Sequence, residues 1–164
     1  MPYTNSQAFT PAGTLFGFKA TAASMTWLTV GEAKKITISG RKLDTADVTN
    51  LLSAMKEFVP TIADPGMFEI EYNWIPSDTN HQALETLYEA QSAGTVGNVP
   101  VMIQIPLAGG TTWVTITGVA TLTENLPDGF DRTKPITAKA SFKVSNGLTF
   151  AWAASTAVLT ADAA

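Results

Sequence analysis

The chain is 164 residues long, the size of one domain rather than two. Only 15% of its residues are charged, where about 25% is usual, yet its 45% hydrophobic share is ordinary, so composition excludes disorder and polar uncharged residues fill the gap. Ten basic against fourteen acidic residues, a net charge of −4, argue against a surface built to neutralise nucleic-acid phosphates, and the absence of cysteine excludes disulfides, thiol nucleophiles and thiolate metal sites.

The first ten residues are polar and aperiodic. They lack the basic and apolar segments of a signal peptide, and no apolar run reaches the roughly 18 residues of a membrane span, so a soluble, unexported single domain is expected over 1–164, with residues 1–13 as an N-terminal arm. Short strands are predicted over 14–19, 25–30 and 35–39. Residues 40–66 then form a long connection that is too apolar for a linker, carrying Leu43, Val48, Leu52, Met55, Phe58, Val59 and Ile62. Within it Leu51, Met55 and Phe58 fit one face of a short helix capped by Thr49 or Asn50.

Residues 67–74 alternate cleanly, with Phe68, Ile70, Tyr72 and Trp74 on one side and Glu69, Glu71 and Asn73 on the other, the pattern of a half-buried strand. Asp78 or Thr79 caps a helix whose stripe is Leu84, Leu87 and Tyr88 and whose end is Gly94. A strand over 101–107 turns at Gly109-Gly110 into a long one over 112–124, with Val114, Ile116, Ala120 and Leu122 on one face and a bend expected at Gly118. Residues 135–145 place Ile136, Ala138, Ala140, Phe142 and Val144 inward, and Asn146-Gly147 reads as a hairpin turn into a last strand over 148–152. The Ala/Thr-rich residues 156–164 are a C-terminal tail. The class is mainly β, or α+β: antiparallel sheets with one flanking helix.

The residues that carry chemistry elsewhere are weakly placed here. Glu69 and Glu71 share a strand face at about 7 Å, within reach of glycosidase carboxylate spacings, but paired acids on a solvated strand face are ordinary and no further acid or histidine joins them. His81, the single histidine, is expected as a partly exposed residue of the first helical turn. The glycine-bounded stretches 13–17 and 94–97 form neither a dinucleotide nor a phosphate loop. Threonine-rich outer strand faces reflect strand propensity. The tryptophans at 27, 74, 113 and 152 read as core or interface anchors, with stacking on a glycan as the alternative. No catalytic, cofactor-binding or metal residue is assigned.

Asp47-Val48-Thr49-Asn50, then Lys56-Glu57-Phe58-Val59-Pro60, then Asp64, Gly66, Phe68, Glu69 and Ile70 resemble, in order and spacing, the major tail tube proteins of long-tailed bacteriophages. The polar stretch at Asp78 to Leu84 and the turn at Lys143, Val144, Ser145 and Gly147 extend that resemblance over residues 30–150. It implies a β-sandwich or barrel-like fold with a flanking helix and a long extended loop. Six copies would close into a ring whose inner strands form a continuous barrel, and the rings would stack into a tube for DNA ejection.

Under that resemblance, residues 40–66 are the ring-stacking loop, with Asp47, Val48, Thr49, Asn50, Met55, Lys56, Glu57, Phe58, Pro60, Asp64 and Gly66 as its residues. Glu69, Glu71 and Glu124 are candidates for the lumen. A ring of six would carry about −24, a sign that repels DNA phosphate and limits sticking. The implied partners are further copies of the chain, a tape measure protein, and tail terminator and baseplate or tip proteins, with DNA passing unbound and no membrane. The place would be the virion tail, assembled in the host cytoplasm. A carbohydrate-binding or adhesin-like β-sandwich module is the alternative.

Overall fold

The computed structural model describes residues 12–50, 52, 54–107, 111–154 and 157–160. Nine strands and one helix follow the chain: β1 Leu15–Phe18, β2 Leu28–Thr29, β3 Ala33–Ser39, β4 Lys42–Asp47, β5 Phe58–Asp64, β6 Met67–Asn73, α1 Thr79–Ser92, β7 Val99–Pro106, β8 Trp113–Asp128 and β9 Thr137–Ala154. Seven strands form one sheet in the order β2-β1-β7-β8-β9-β6-β3, and β4 and β5 pair apart from it. Every pairing is antiparallel.

The expected mainly β class with a flanking helix holds, while the expected sandwich or barrel gives way to one open sheet. Its two ends curl toward each other until β1 and β3 approach within 8 Å, without a ladder between them. The concave side holds the core. Phe16 and Phe18 of β1, Phe68, Ile70 and Tyr72 of β6 and Phe142 of β9 are all fully buried there. The Phe16 ring lies 5.2 Å from Phe142 and 6.2 Å edge-on from Phe68, aromatic packing that ties opposite ends of the sheet together.

The β8–β9 ladder shifts register at three places, and two of them redirect side chains. Asn146-Gly147 is no hairpin turn: β9 runs through it, and residues 146–148 stand opposite Gly118 alone, between the pairs Val119 with Ser145 and Thr117 with Thr149. The positive φ of Asn146 and Gly147, 65° and 89°, serves a bulge instead, and Leu148 drops onto Gly118, where any Cβ would crowd it. The second bulge is at Thr123, between the pairs Leu122 with Phe142 and Glu124 with Ser141. It inverts the alternation, so Asn125 turns inward and is buried while Glu124 turns outward.

Asp78 caps α1 by accepting from the backbone N–H of Asn80 and His81, and Gly94, at φ 71°, ends it. The helix lays Leu84 and Leu87 on the core. His81 is buried, not partly exposed: its Nδ1 accepts from the Ile75 N–H at 3.1 Å and its Nε2 lies 3.3 Å from the Gly31 carbonyl. The chain turns sharply from β6 into α1, so the first helical turn is pressed beneath the β2–β3 connection. Across the sheet, residues 157–160 of the C-terminal tail pack against it. Gln104 Oε1 accepts from the N–H of Val158 and Leu159, and Leu159 is buried against Gly17 on the convex side.

Candidate functional site

The residues singled out by the sequence fall on two surfaces. The first is an arm. Strands β4 and β5 pair as a hairpin, and the described residues between them hold no helix. Val59, Pro60, Thr61 and Ile62 disfavour helix, and Phe58 opens β5. Met55 lies before it in a bend, and Leu51 lies outside the described residues.

The tip is organised by side chain to backbone bonds that compete with helix. Asp47 Oδ1 accepts from the Thr49 N–H at 2.9 Å and from the Thr49 hydroxyl. The Thr49 hydroxyl oxygen in turn accepts from the Glu57 N–H at 2.9 Å, and the Val48 N–H donates to the Glu57 carbonyl. Asn50 Oδ1 accepts from the Leu52 N–H. The Thr49 donors hold the Asp47 carboxyl below its ordinary range. Asp47-Val48-Thr49-Asn50 thus builds the tip, with Lys56 and Glu57 exposed beside it.

The base of the arm is equally defined. Lys143 Nζ donates to both Asp64 oxygens, at 2.8 and 3.0 Å, and the Gly66 N–H donates to Asp64 at 2.8 Å. These donors, Lys143 foremost, lower the Asp64 pKa. Gly66 sits at φ 89° against the Ser39 carbonyl, where no side chain fits. Between base and tip the arm exposes its apolar residues: Phe58 is 56% exposed, Ile62 77% and Met55 81%, with Leu43 and Val59 also exposed. Pro60 sits inside β5 opposite Thr45, as an edge strand permits.

The second surface is the outward face of β3, β6, β9 and β8. Thr37, Glu69, Ser141 and Glu124 form one cross-strand row, and Lys35, Glu71, Lys139 and Leu126 the next. Glu69, Glu71 and Glu124 are therefore together, the last brought there by the bulge at Thr123. Lys139 Nζ lies 2.9 Å from Glu69 and 4.0 Å from Glu124. The Ser39 hydroxyl donates to Glu69, and the Ser141 hydroxyl to Glu124 at 3.1 Å.

The Lys139 ammonium, with Ser39, holds the Glu69 carboxyl below its ordinary range, and Glu69 raises the pKa of Lys139. A general acid needs the opposite shift, so Glu69 does not suit that role. Folding lowers the Glu69 pKa, so its contribution to stability is present above the ordinary glutamate range and lost as pH falls through the lowered value. The raised Lys139 pKa keeps that side intact until pH rises through it. Glu69→Gln should lower Tm slightly at about pH 7 and leave it equal to the parent's near pH 2. A Tm difference that persists in acid would show that the ladder is not its source.

Beneath α1, sequence reasoning missed a buried polar network. The Tyr72 hydroxyl donates to Asn125 at 3.0 Å, and Asn125 donates to Glu85 at 2.7 Å. Burial first, then the Glu85 charge, pushes the Tyr72 pKa up to about 12, so it remains a donor. Only the position of the Thr123 bulge would have revealed Asn125. Of the four tryptophans, Trp27, Trp74 and Trp113 are half-buried, and Trp152 is exposed and stacked 5.4 Å from Phe150. Among the described residues no group of three or more His, Asp and Glu is placed to hold a metal ion, and no helix is long and apolar enough to cross a membrane.

No protein-family model and no curated protein matches the sequence. Solved structures do match its fold. A chain of the anti-feeding prophage baseplate superposes with a TM-score of 0.68 at 9% identity, covering 91% of this chain and 98% of that one. This chain shares its fold with chains of phage tails and contractile injection systems. A chain from the tail of an empty gene transfer agent particle gives 0.64 at 16% identity, covering 88% and 99%. One from the SPP1 tail tube gives 0.59 at 13%, covering 84% and 75%. The likeness covers 84% or more of this chain in each, so the sheet and helix belong to one shared architecture. No enzyme is named among these structures.

Proposed function

We propose that this chain is a structural, non-catalytic subunit of a tail tube, assembling into stacked rings of six around a conduit for DNA. The observation that supports it most is a fold shared over about nine-tenths of the chain with subunits of such assemblies. The stacking element is the β4–β5 arm. A lone two-stranded hairpin is marginal in water, and one with apolar side chains on display needs a surface to cover it.

The lumen is assigned to the face carrying Glu69, Glu71 and Glu124. Lys35 and Lys139 lie in the same rows, so this face carries paired charges rather than a strongly negative field. Such a surface offers no excess of cations for phosphate to bind, which suits passage without retention. Contacts at the tube ends would fall to terminator and baseplate or tip proteins, and contacts inside to a tape measure protein, within a virion tail assembled in the host cytoplasm. The low charge of the whole chain fits a subunit with most of its surface in interfaces.

Electron microscopy of concentrated purified protein tests the assembly. Rings or tubes of uniform width are expected. A stable monomer at every salt and protein concentration would overturn the reading.

A further inference from the structure

Helix α1 covers only part of the concave face. Further along it, between β3 and the β7–β8 strands, Ile36, Ile38, Ile103, Ile105 and Ile116 line an open groove of about 540 Å³. Lys34 is exposed on its rim and makes no ion pair among the described residues. Among the described residues the chain thus displays two uncovered apolar surfaces: a groove lined by isoleucine and an arm carrying Phe58.

We propose that the groove receives the β4–β5 arm of a second copy of this chain, Phe58 entering among the isoleucines and Glu57 meeting Lys34. This rests on the tube reading and names the surface that the arm would cover. Charge favours that occupant. Asp44 of the arm is paired with Lys42 at 3.1 Å, which leaves Asp47 and Glu57 against Lys56 toward the tip, so a mildly acidic tip approaches a basic rim.

Geometry favours a second copy over the chain's own arm. The arm leaves the sheet just past Ser39, while Lys34 sits five residues back along β3, roughly 17 Å at strand rise. An arm that leaves past Ser39 and a rim at Lys34 make a head-to-tail contact that uses different patches on each partner. Contacts of that kind repeat without closing unless a rotation closes them, which is the requirement for stacking rings into a tube.

Because the chain has no cysteine, cross-linking can be directed without background. Lys34→Cys and Glu57→Cys, both at exposed positions, are prepared separately, mixed under assembly conditions and treated with a short bis-maleimide. A covalent dimer is expected from the mixture and not from either variant alone. Micrographs are taken of the same samples. Tubes without the mixed cross-link overturn the groove assignment and leave the tube reading standing, while the absence of tubes at any concentration overturns both.

If the chain's own N-terminal segment fills the groove instead, Asn5→Cys/Lys34→Cys would cross-link within a monomer, and that result also overturns the inference. A charge swap adds a second readout. Lys34→Glu should raise the critical concentration for assembly about tenfold, and Glu57→Lys in the same chain should bring it back. Failure of that rescue, with each single variant folded, counts against the pairing.

Discussion

Phe58→Asp should leave the monomer folded and abolish its assembly into tubes. Phe58 belongs to neither the core nor the main sheet, and more than half of its surface meets water in the single chain. Removing it costs the fold little. In an interface the balance reverses, since an aromatic anchor there commonly carries about 2 kcal/mol or more. Six such losses at each ring junction come to about 12 kcal/mol, and a buried carboxylate adds its own desolvation.

Asp47 lies directly across the hairpin from residue 58, so the new charge also strains the arm. Phe58→Ser separates the two effects, because it removes the anchor without the repulsion. Thermal unfolding followed by circular dichroism should match the parent for both variants. Sedimentation and micrographs should show no tubes for Phe58→Asp and a strongly raised assembly threshold for Phe58→Ser. Tubes of normal length from Phe58→Asp would remove the arm from the assembly.

What could be read in the sequence follows the reach of each local rule. Strand β6 was legible because a single face is buried along its whole length: Phe68, Ile70 and Tyr72 are inside, Glu69 and Glu71 outside. The ends of α1 were legible because Asp78 and Gly94 act within one turn of where they stand. In β8, alternation succeeds up to Leu122 and fails after it. A single inserted residue flips the phase, and nothing in Leu-Thr-Glu-Asn announces the insertion.

The misreadings share a cause in tertiary context. Asn146-Gly147 has the chemistry of a hairpin turn, but β8 is long enough to pair on both sides of it, so the positive φ values make a bulge in one continuous strand. In the arm, the spacing of Leu51, Met55 and Phe58 matched a helix, but β4 supplies a ladder for residues 58–64 that spacing cannot foresee. Burial of His81 and Leu159 depends on Gly31 and Gln104, more than 40 residues away in each case. The hydrogen bonds at the tip use the turn chemistry of Asp47, Thr49 and Asn50, three of the residues on which the resemblance rests.

Phe142→Ala, by contrast, should act on the fold itself and reach assembly only through it. Phe142 is fully buried in the middle of β9, beside Phe16 at 5.2 Å and Phe18 at 6.4 Å. Its backbone pairs with Phe68 on one side and Leu122 on the other, so its side chain stands at the centre of the concave face. Truncation leaves a cavity walled by two strand ladders that cannot collapse onto it. The cost expected is about 3–5 kcal/mol, a large part of the 5–15 kcal/mol that holds a domain of this size.

At about 2–4 °C per kcal/mol, Tm should fall by roughly 10 °C. Surviving folded protein should still stack, because the arm is untouched and its base is held by Lys143 and Gly66 rather than by Phe142. The assembly threshold, expressed per folded chain, should therefore match the parent at a temperature well below the new Tm. Measuring both quantities on Phe58→Asp and Phe142→Ala gives opposite patterns, one losing assembly at constant Tm and the other losing Tm at constant assembly. A Phe142→Ala protein that keeps the parent Tm would mean that the aromatic cluster does not carry the core.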